Sequence, residues 1–352
     1  FADSGLYHSP NQTEMTMKQS TLHLTSILVS LLCAVSITAS RAQAQTQAQI
    51  QPKPECQAPG GVAGFVKWAS GNDNTPVRLT GAGGLTFIGV GKIQKAGEQL
   101  LWNVSTQAGK TERVQTTARA ANLANGTFMN YTGRDTLPQL RLYAYSTSSA
   151  SGTRGTLNVG GMTKEKLPIK SLKNGMEEYV VYDRALTAAE RMRVESALAL
   201  RHGITLAHSY LNSKGKTIRN YYRLKAYNHR VAGIIGDAAS KLHRTMGESS
   251  ENEAVVKVSA SSINEGASFL WGDNAKQLSF TADKGNGKWM QRCWAATTTG
   301  QPAEHLTLTF DTRSIHQLQP LGKDEFYYLA VDNSGTGKFP VGQIRYYKAQ
   351  DS

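Results

Sequence analysis

The chain has 352 residues, 39% of them hydrophobic, which is enough to bury two separate cores and excludes a chain disordered as a whole. Its 39 Lys and Arg against 26 Asp and Glu leave a formal charge of +13. That excess suits phosphates, acidic glycans or an anionic surface, but no nucleic-acid-binding motif accompanies it, so nucleic acid is not an expected partner.

In chain order, residues 1–14 are polar and aperiodic and read as extraneous sequence ahead of Met15 and Met17. Residues 15–44 have the layout of a signal peptide: Lys18, an apolar run from Leu24 to Ala39, and the small-x-small site Ala42-Gln43-Ala44, with cleavage expected after Ala44. The run is broken by Thr25, Ser26, Ser30 and Ser36 and is shorter than the roughly 20 apolar residues a bilayer requires. The expectation is a secreted or cell-surface protein with no transmembrane segment after cleavage. Cys33 lies inside the apolar run, away from a lipidation position. Cys56 and Cys293 then remain in a compartment that permits disulfides, and either one bridge or two separate buried thiols fits the sequence.

Residues 45–58 are rich in Gln and Ala, contain Pro52 and Pro54, and predict a flexible linker. From Pro59 come short alternating runs separated by Gly, Asn, Ser and Thr: Phe65 to Trp68, Leu85 to Ile88, Leu140 to Tyr143 and Tyr179 to Tyr182. Such runs predict a β-sandwich over 59–206. Its one helix is bounded by a capping box, Thr187-Ala188-Ala189-Glu190, and by the left-handed stop of Gly203, so it should run from about Ala188 to His202. Val194, Ala197, Leu198 and Arg201 share a face for packing on a sheet, with the arginines mostly outward. Strand signals resume at Val231 to Ile235, Val255 to Val258, Leu306 to Phe310, Tyr327 to Val331 and Gln343 to Tyr347, and predict a second β-rich domain over 207–352, open to truncation at its end.

The run from Gly175 to Glu190, with Leu157-Asn158-Val159-Gly160-Gly161 upstream, resembles the closing strand and helix start of laminin-G-like, concanavalin A-like jelly rolls. The continuation from Arg193 to Leu206 is similar to the version found in large surface and gliding-associated proteins of the Bacteroidota. The module of uncharacterised function that follows it there is resembled through Tyr210 to Gly215, Asn228 to Ile234, Trp271-Gly272-Asp273-Asn274 and Arg292-Cys293-Trp294. That resemblance implies an all-β fold: a jelly-roll sandwich, one short helix after its last strand, then a second β-sandwich-like domain. The family pattern has a Gly-Arg-Asp run where this chain has Ile234-Ile235-Gly236-Asp237, so the arginine is absent. Asp135-Thr136-Leu137 fits the acceptor for O-glycosylation of exported Bacteroidota proteins, which makes Thr136 a candidate.

No assembled active site is legible. Gly215-Lys216-Thr217 lacks the first glycine of a phosphate loop, Gly81-Ala82-Gly83-Gly84 lacks the third of a dinucleotide turn, and no Gly-x-Ser-x-Gly elbow exists. The histidines have no zinc-site spacing. A glycosidase needs two carboxylates about 5 to 10 Å apart, and Glu178 with a distant aspartate stays open, although its place in the closing-strand pattern predicts packing. No cofactor is implied. Asp332-Asn333-Ser334-Gly335-Thr336-Gly337 spaces Asp332, Ser334 and Thr336 as a calcium loop does, with an ordinary turn as the alternative.

The aromatic and basic run from Asn220 to Arg230 supplies Tyr221, Tyr222, Arg223, Lys225 and Arg230 as candidate ligand contacts, set against a solvated strand face. The expected function is non-catalytic: adhesion, or binding of glycan or extracellular matrix. A polysaccharide-acting enzyme and a structural spacer are the alternatives. A cleft with two close carboxylates would favour the enzyme, an aromatic-lined or basic rim binding, and a sealed polar surface the spacer.

Overall fold

The computed structural model describes residues 12–18, 28–30, 57–70, 73, 75–93, 99–106, 111–115, 127–131, 139–148, 154–159, 170–171, 176–281, 288–303, 305–313, 315 and 325–351. Most of these lie in antiparallel β-sheets, with one α-helix, as the sequence predicts. None of the helices among them is long and apolar enough to cross a membrane.

Two sheets form the first half of the chain. One runs in the order Lys67–Ser70, Met176–Tyr182, Leu85–Ile93, Gln139–Thr147 and Thr127–Tyr131, every pair antiparallel. The other joins Lys170–Ser171, Gln99–Thr106, Gly155–Val159 and Val77–Leu79, with Thr111–Gln115 also on Gln99–Thr106. Alternate residues of a strand point to opposite faces, so Phe87, Tyr143, Tyr145, Tyr179 and Val181 meet Leu79, Leu157 and Val159 in one core. The opposite face of the same sheet, Ile88, Val90, Leu142, Ala144, Val180 and Tyr182, is equally buried. Burial on both faces explains why Tyr179 to Tyr182 is apolar without interruption.

The cover on that second face is the helix, Ala188–His202. Thr187 Oγ1 accepts from Glu190 N and the Glu190 carboxylate accepts from Thr187 N, closing the capping box, and Gly203 ends the helix at φ 66°. One packed face was expected. The structure instead buries every residue from Val194 to Leu200, because the helix lies between the first sheet and the strand His229–Asp237. Val231, Ile235 and Leu270 from beyond residue 206 share a core with Ile88, Val90 and Val180. At the same junction the Arg193 guanidinium donates to Gly60 O and Gly61 O, both 2.9 Å away. Gly60 stands at φ 62° with its missing Cβ only 2.4 Å from the Arg193 carbonyl carbon, so the helix backbone can sit directly on this turn.

The second half contains a sheet in the order Leu242–Arg244, His229–Asp237, Ser268–Asp273, Trp294–Thr299, and a second with Met246–Glu248, Val256–Ser259 and His305–Asp311. A hairpin, Tyr328–Asp332 with Ile344–Lys348, completes it. Phe269, Trp271, Trp294, Leu308, Phe310, Leu329 and Val331 fill the core between them. The expected signal peptide lies largely outside the described residues. Of it and the stretch before it, the structure describes Gln12–Lys18, paired with His305–Asp311, and Leu28–Ser30, paired with Tyr328–Asp332.

A candidate ligand-binding cleft

The final hairpin sets the geometry of the site. Tyr347 and Leu329 are register partners on the core side, where Leu329 is fully buried, so the alternate pairs Tyr328 with Lys348, Ala330 with Tyr346, and Asp332 with Ile344 form the outer face. A loop returns over one end of that face and is held there by Asp332. The Asp332 carboxylate, fully buried, accepts hydrogen bonds from Ser334 N (2.7 Å), Ser334 Oγ (2.5 Å), Gly337 N (3.0 Å) and Phe339 N (3.2 Å). These bonds fix Lys338 and Phe339, the latter in a left-handed conformation (φ 50°) that a non-glycine residue adopts only when its surroundings impose it.

Opposite this loop stands a second, in which Thr281 N donates to Trp289 O (2.6 Å) and Gln291 N to Ser279 O (2.8 Å). Between the two opens a cleft of about 870 Å³, within the range of ligand sites. Its walls carry Trp289, Phe339, Val341, Ile344 and Tyr346, with Lys276 and Lys338 at the rim and Met290 and Cys293 at the base. Trp289 and Phe339 meet edge to face with centroids 5.8 Å apart. Val341 is 99% exposed and Tyr346 56%. Among the described lining residues there is no Asp or Glu.

The candidate run at Tyr221 touches this site from behind. Phe339 and Tyr227 both pack on the buried pair Leu224 and Ala295. The run is not an alternating strand face: Asn220 Oδ1 accepts from Arg223 N, a turn leads into the 3₁₀ helix Lys225–Tyr227, and the strand begins only at His229. Tyr222 (81% exposed), Arg223 and Lys225 are on the surface, while Tyr221 is half-buried and edge to face with Tyr222 at 5.4 Å. Arg230 does not join them. It is buried, its guanidinium paired with Asp273 at 2.6 and 2.5 Å, because the strand turns it inward at φ 48°. Arg292, also buried, reaches Glu253 Oε2 at 2.7 Å beside this pair. The Trp271 to Asn274 and Arg292 to Trp294 motifs therefore hold a buried ion network.

Ser334 and Thr336, the other two calcium candidates, bond each other through their hydroxyls at 2.8 Å. Among the described residues no three His, Cys, Asp or Glu side chains cluster as metal ligands. Asp237, at the departure from the family pattern, is buried and accepts from Ser213 N (2.8 Å), Ser213 Oγ (2.5 Å) and Ser240 Oγ (2.8 Å). Cys293 is buried, while Cys56 and Thr136 lie outside the described residues.

Glu178 sits away from the cleft, at the junction of the two halves. Trp68 Nε1 donates to it at 2.8 Å, His202 Nε2 lies 2.8 Å from its other oxygen, and the Arg201 guanidinium bonds it as well. Burial, the largest influence, pushes the Glu178 carboxyl up, but His202, Arg201 and Trp68 together outweigh it and hold it below the usual carboxylate range. Arg201 and Lys241 both stand 5.4 Å from the Trp68 ring centroid. The carboxylate joins its strand to Trp68 and to the end of the helix, whose Arg201 also donates to Ser240 O and Lys241 O.

A family model described as Domain of unknown function (DUF8202) matches residues 190–352, a stretch that starts in the helix and contains the whole cleft. No curated protein and no solved structure matches the chain.

Proposed function

We propose that the protein is a non-catalytic binding protein of the cell exterior, exported through its signal peptide. In this reading a concanavalin A-like jelly roll is joined rigidly to a second β-domain whose cleft takes a glycan, in adhesion or matrix attachment. The observation that carries it is the lining of the cleft: Trp289, Phe339 and Tyr346 offer flat apolar surfaces to the C–H faces of sugar rings, and no described carboxylate faces them. Hydrolysis of a glycosidic bond would need two carboxylates flanking it. The test is binding of the full chain and of Trp289→Ala to a panel of neutral and acidic oligosaccharides by calorimetry, with reducing ends assayed in parallel. Saturable binding that Trp289→Ala removes, without release of reducing ends, is expected. Turnover of any bound glycan, or binding that ignores Trp289, would refute the proposal.

A further inference from the structure

Resting on that reading of the cleft, we infer that the ligand is an acidic polysaccharide, and that it leaves the cleft along the outer face of the final hairpin toward Phe326. The cleft alone ends at Tyr346, but the face it opens onto continues. Tyr346 and Ala330 are register partners, as are Lys348 and Tyr328 one step further along, and all four side chains share the outer face. Tyr328 is 49% exposed, and Phe326, two residues before it, is 56% exposed. Lys348 Nζ stands 3.5 Å from the Phe326 ring centroid, a cation held on an aromatic platform. Diagonal neighbours on one face of a sheet are about 7–8 Å apart, which spaces Tyr346 and Tyr328 for successive sugars of an extended chain, and Phe326 follows two residues further along.

The charge on the outer face between the cleft and Lys348 is positive, and Glu325, beside Phe326 in the sequence, is paired with Lys288 at 3.5 Å. Lys338 stands at the cleft rim and Lys348 at the far end, and neither the described cleft lining nor the outer-face positions between Tyr346 and Tyr328 hold an exposed carboxylate. A single exposed aromatic patch needs no explanation, but three exposed aromatic rings along one hairpin, with Lys348 over one of them and Lys338 at the rim of the cleft they continue, form a track. Anionic groups of a polyuronate or a sulfated glycan would meet Lys338 and Lys348 while ring faces rest on the aromatics. The surface arginine and lysine at Arg223 and Lys225 add to the attracting field without touching the path.

The experiment uses the full chain and length series of polyuronate and sulfated glycan oligomers, from dimer to octamer, each beside a neutral counterpart of similar linkage. Affinity is measured for wild type, Trp289→Ala, and the double variant Phe326→Ala with Tyr328→Ala, whose side chains are exposed and leave the core untouched. The expected result is that an acidic series binds more tightly with length and weakens between 50 and 200 mM salt. The double variant should lose about tenfold, ~1.4 kcal/mol, for the long oligomers and nothing for the shortest that binds. Neutral and acidic oligomers binding alike, without salt dependence, would overturn the acidic ligand while leaving the cleft reading in place. A double variant indistinguishable from wild type at every length would overturn the track. Wild-type binding unchanged in Trp289→Ala would bring down the cleft reading itself, and no binding in any acidic series would overturn the inference outright.

Discussion

Asp332 is the residue on which the cleft should depend most while lining none of it. Replacing it with alanine strips the acceptor from three backbone amides and the Ser334 hydroxyl. A hydrogen bond to a charged group is worth about 1.5–3 kcal/mol, and four would sum to far more than a loop can lose. Ser334, Gly337 and Phe339 are only half-buried, so water recovers much of that, and the strain at Phe339 is relieved when the loop lets go. The expected cost for Asp332→Ala is therefore about 2–4 kcal/mol, seen in urea unfolding or as a fall in Tm of roughly 5–15 °C. Because Lys338 and Phe339 ride on the freed loop, glycan affinity should drop at least about tenfold at temperatures where the variant is still folded. The calcium-loop reading of the same residues makes the opposite demand: calcium would raise the Tm of the wild type by mass action, and chelator would lower it. Stability and affinity of Asp332→Ala within about 0.5 kcal/mol of wild type would refute the pinning argument, and a calcium-dependent Tm that Asp332→Ala abolishes would replace it with a metal site.

Two further predictions concern the charges buried elsewhere. In the pair of Arg230 and Asp273 the side chains are 4% and 1% exposed, so Arg230→Met or Asp273→Asn alone leaves an uncompensated charge and should cost about 3–5 kcal/mol in urea unfolding, whereas Arg230→Met with Asp273→Leu should lie closer to wild type than either single variant. Additive losses in the double variant would mean that the pair is not coupled. At the helix start, the hydrogen bond from Arg184 foremost, against the opposing effect of burial and with help from Thr187, holds the Glu190 carboxyl down at about 2 from an ordinary 4.5. A depressed carboxyl contributes stability that is present above its unfolded value, so that contribution should fade as pH drops from about 4.5 toward 2, and Glu190→Gln should flatten the stability profile across that window. An unchanged slope in Glu190→Gln would place the acid sensitivity elsewhere, with Glu178, held low at the junction, the next residue to replace.

By itself the sequence determined whatever depends on neighbours a few residues apart. The helix from Ala188 to His202 was legible at both ends, because a capping box and a left-handed glycine are hydrogen bonds and backbone angles made within one turn. Most of the strands could be read from short alternating or continuous apolar runs, and Glu178 from its place in the closing strand, where it is buried and bonded to Trp68. What lay beyond reach were decisions made between distant segments. Nothing in the run from Tyr221 to Arg230 distinguishes the exposed Arg223 from the buried Arg230, since Asp273, which takes the second, is 43 residues away. The same applies to the helix, whose second buried face exists because a later strand covers it. Nor does the spacing of Asp332, Ser334 and Thr336 reveal that three backbone amides of the same loop turn onto Asp332. The cleft gave one local signal, an exposed Val341 between Pro340 and Gly342, at a tip where an apolar side chain has no core to enter. Its remaining walls come from Lys276, Thr281 and Trp289 to Cys293 on one side and from Lys338 to Tyr346, a loop running into the last strand, on the other, brought together only when the hairpin closes on the core, so the site belongs to long-range packing and not to any local pattern.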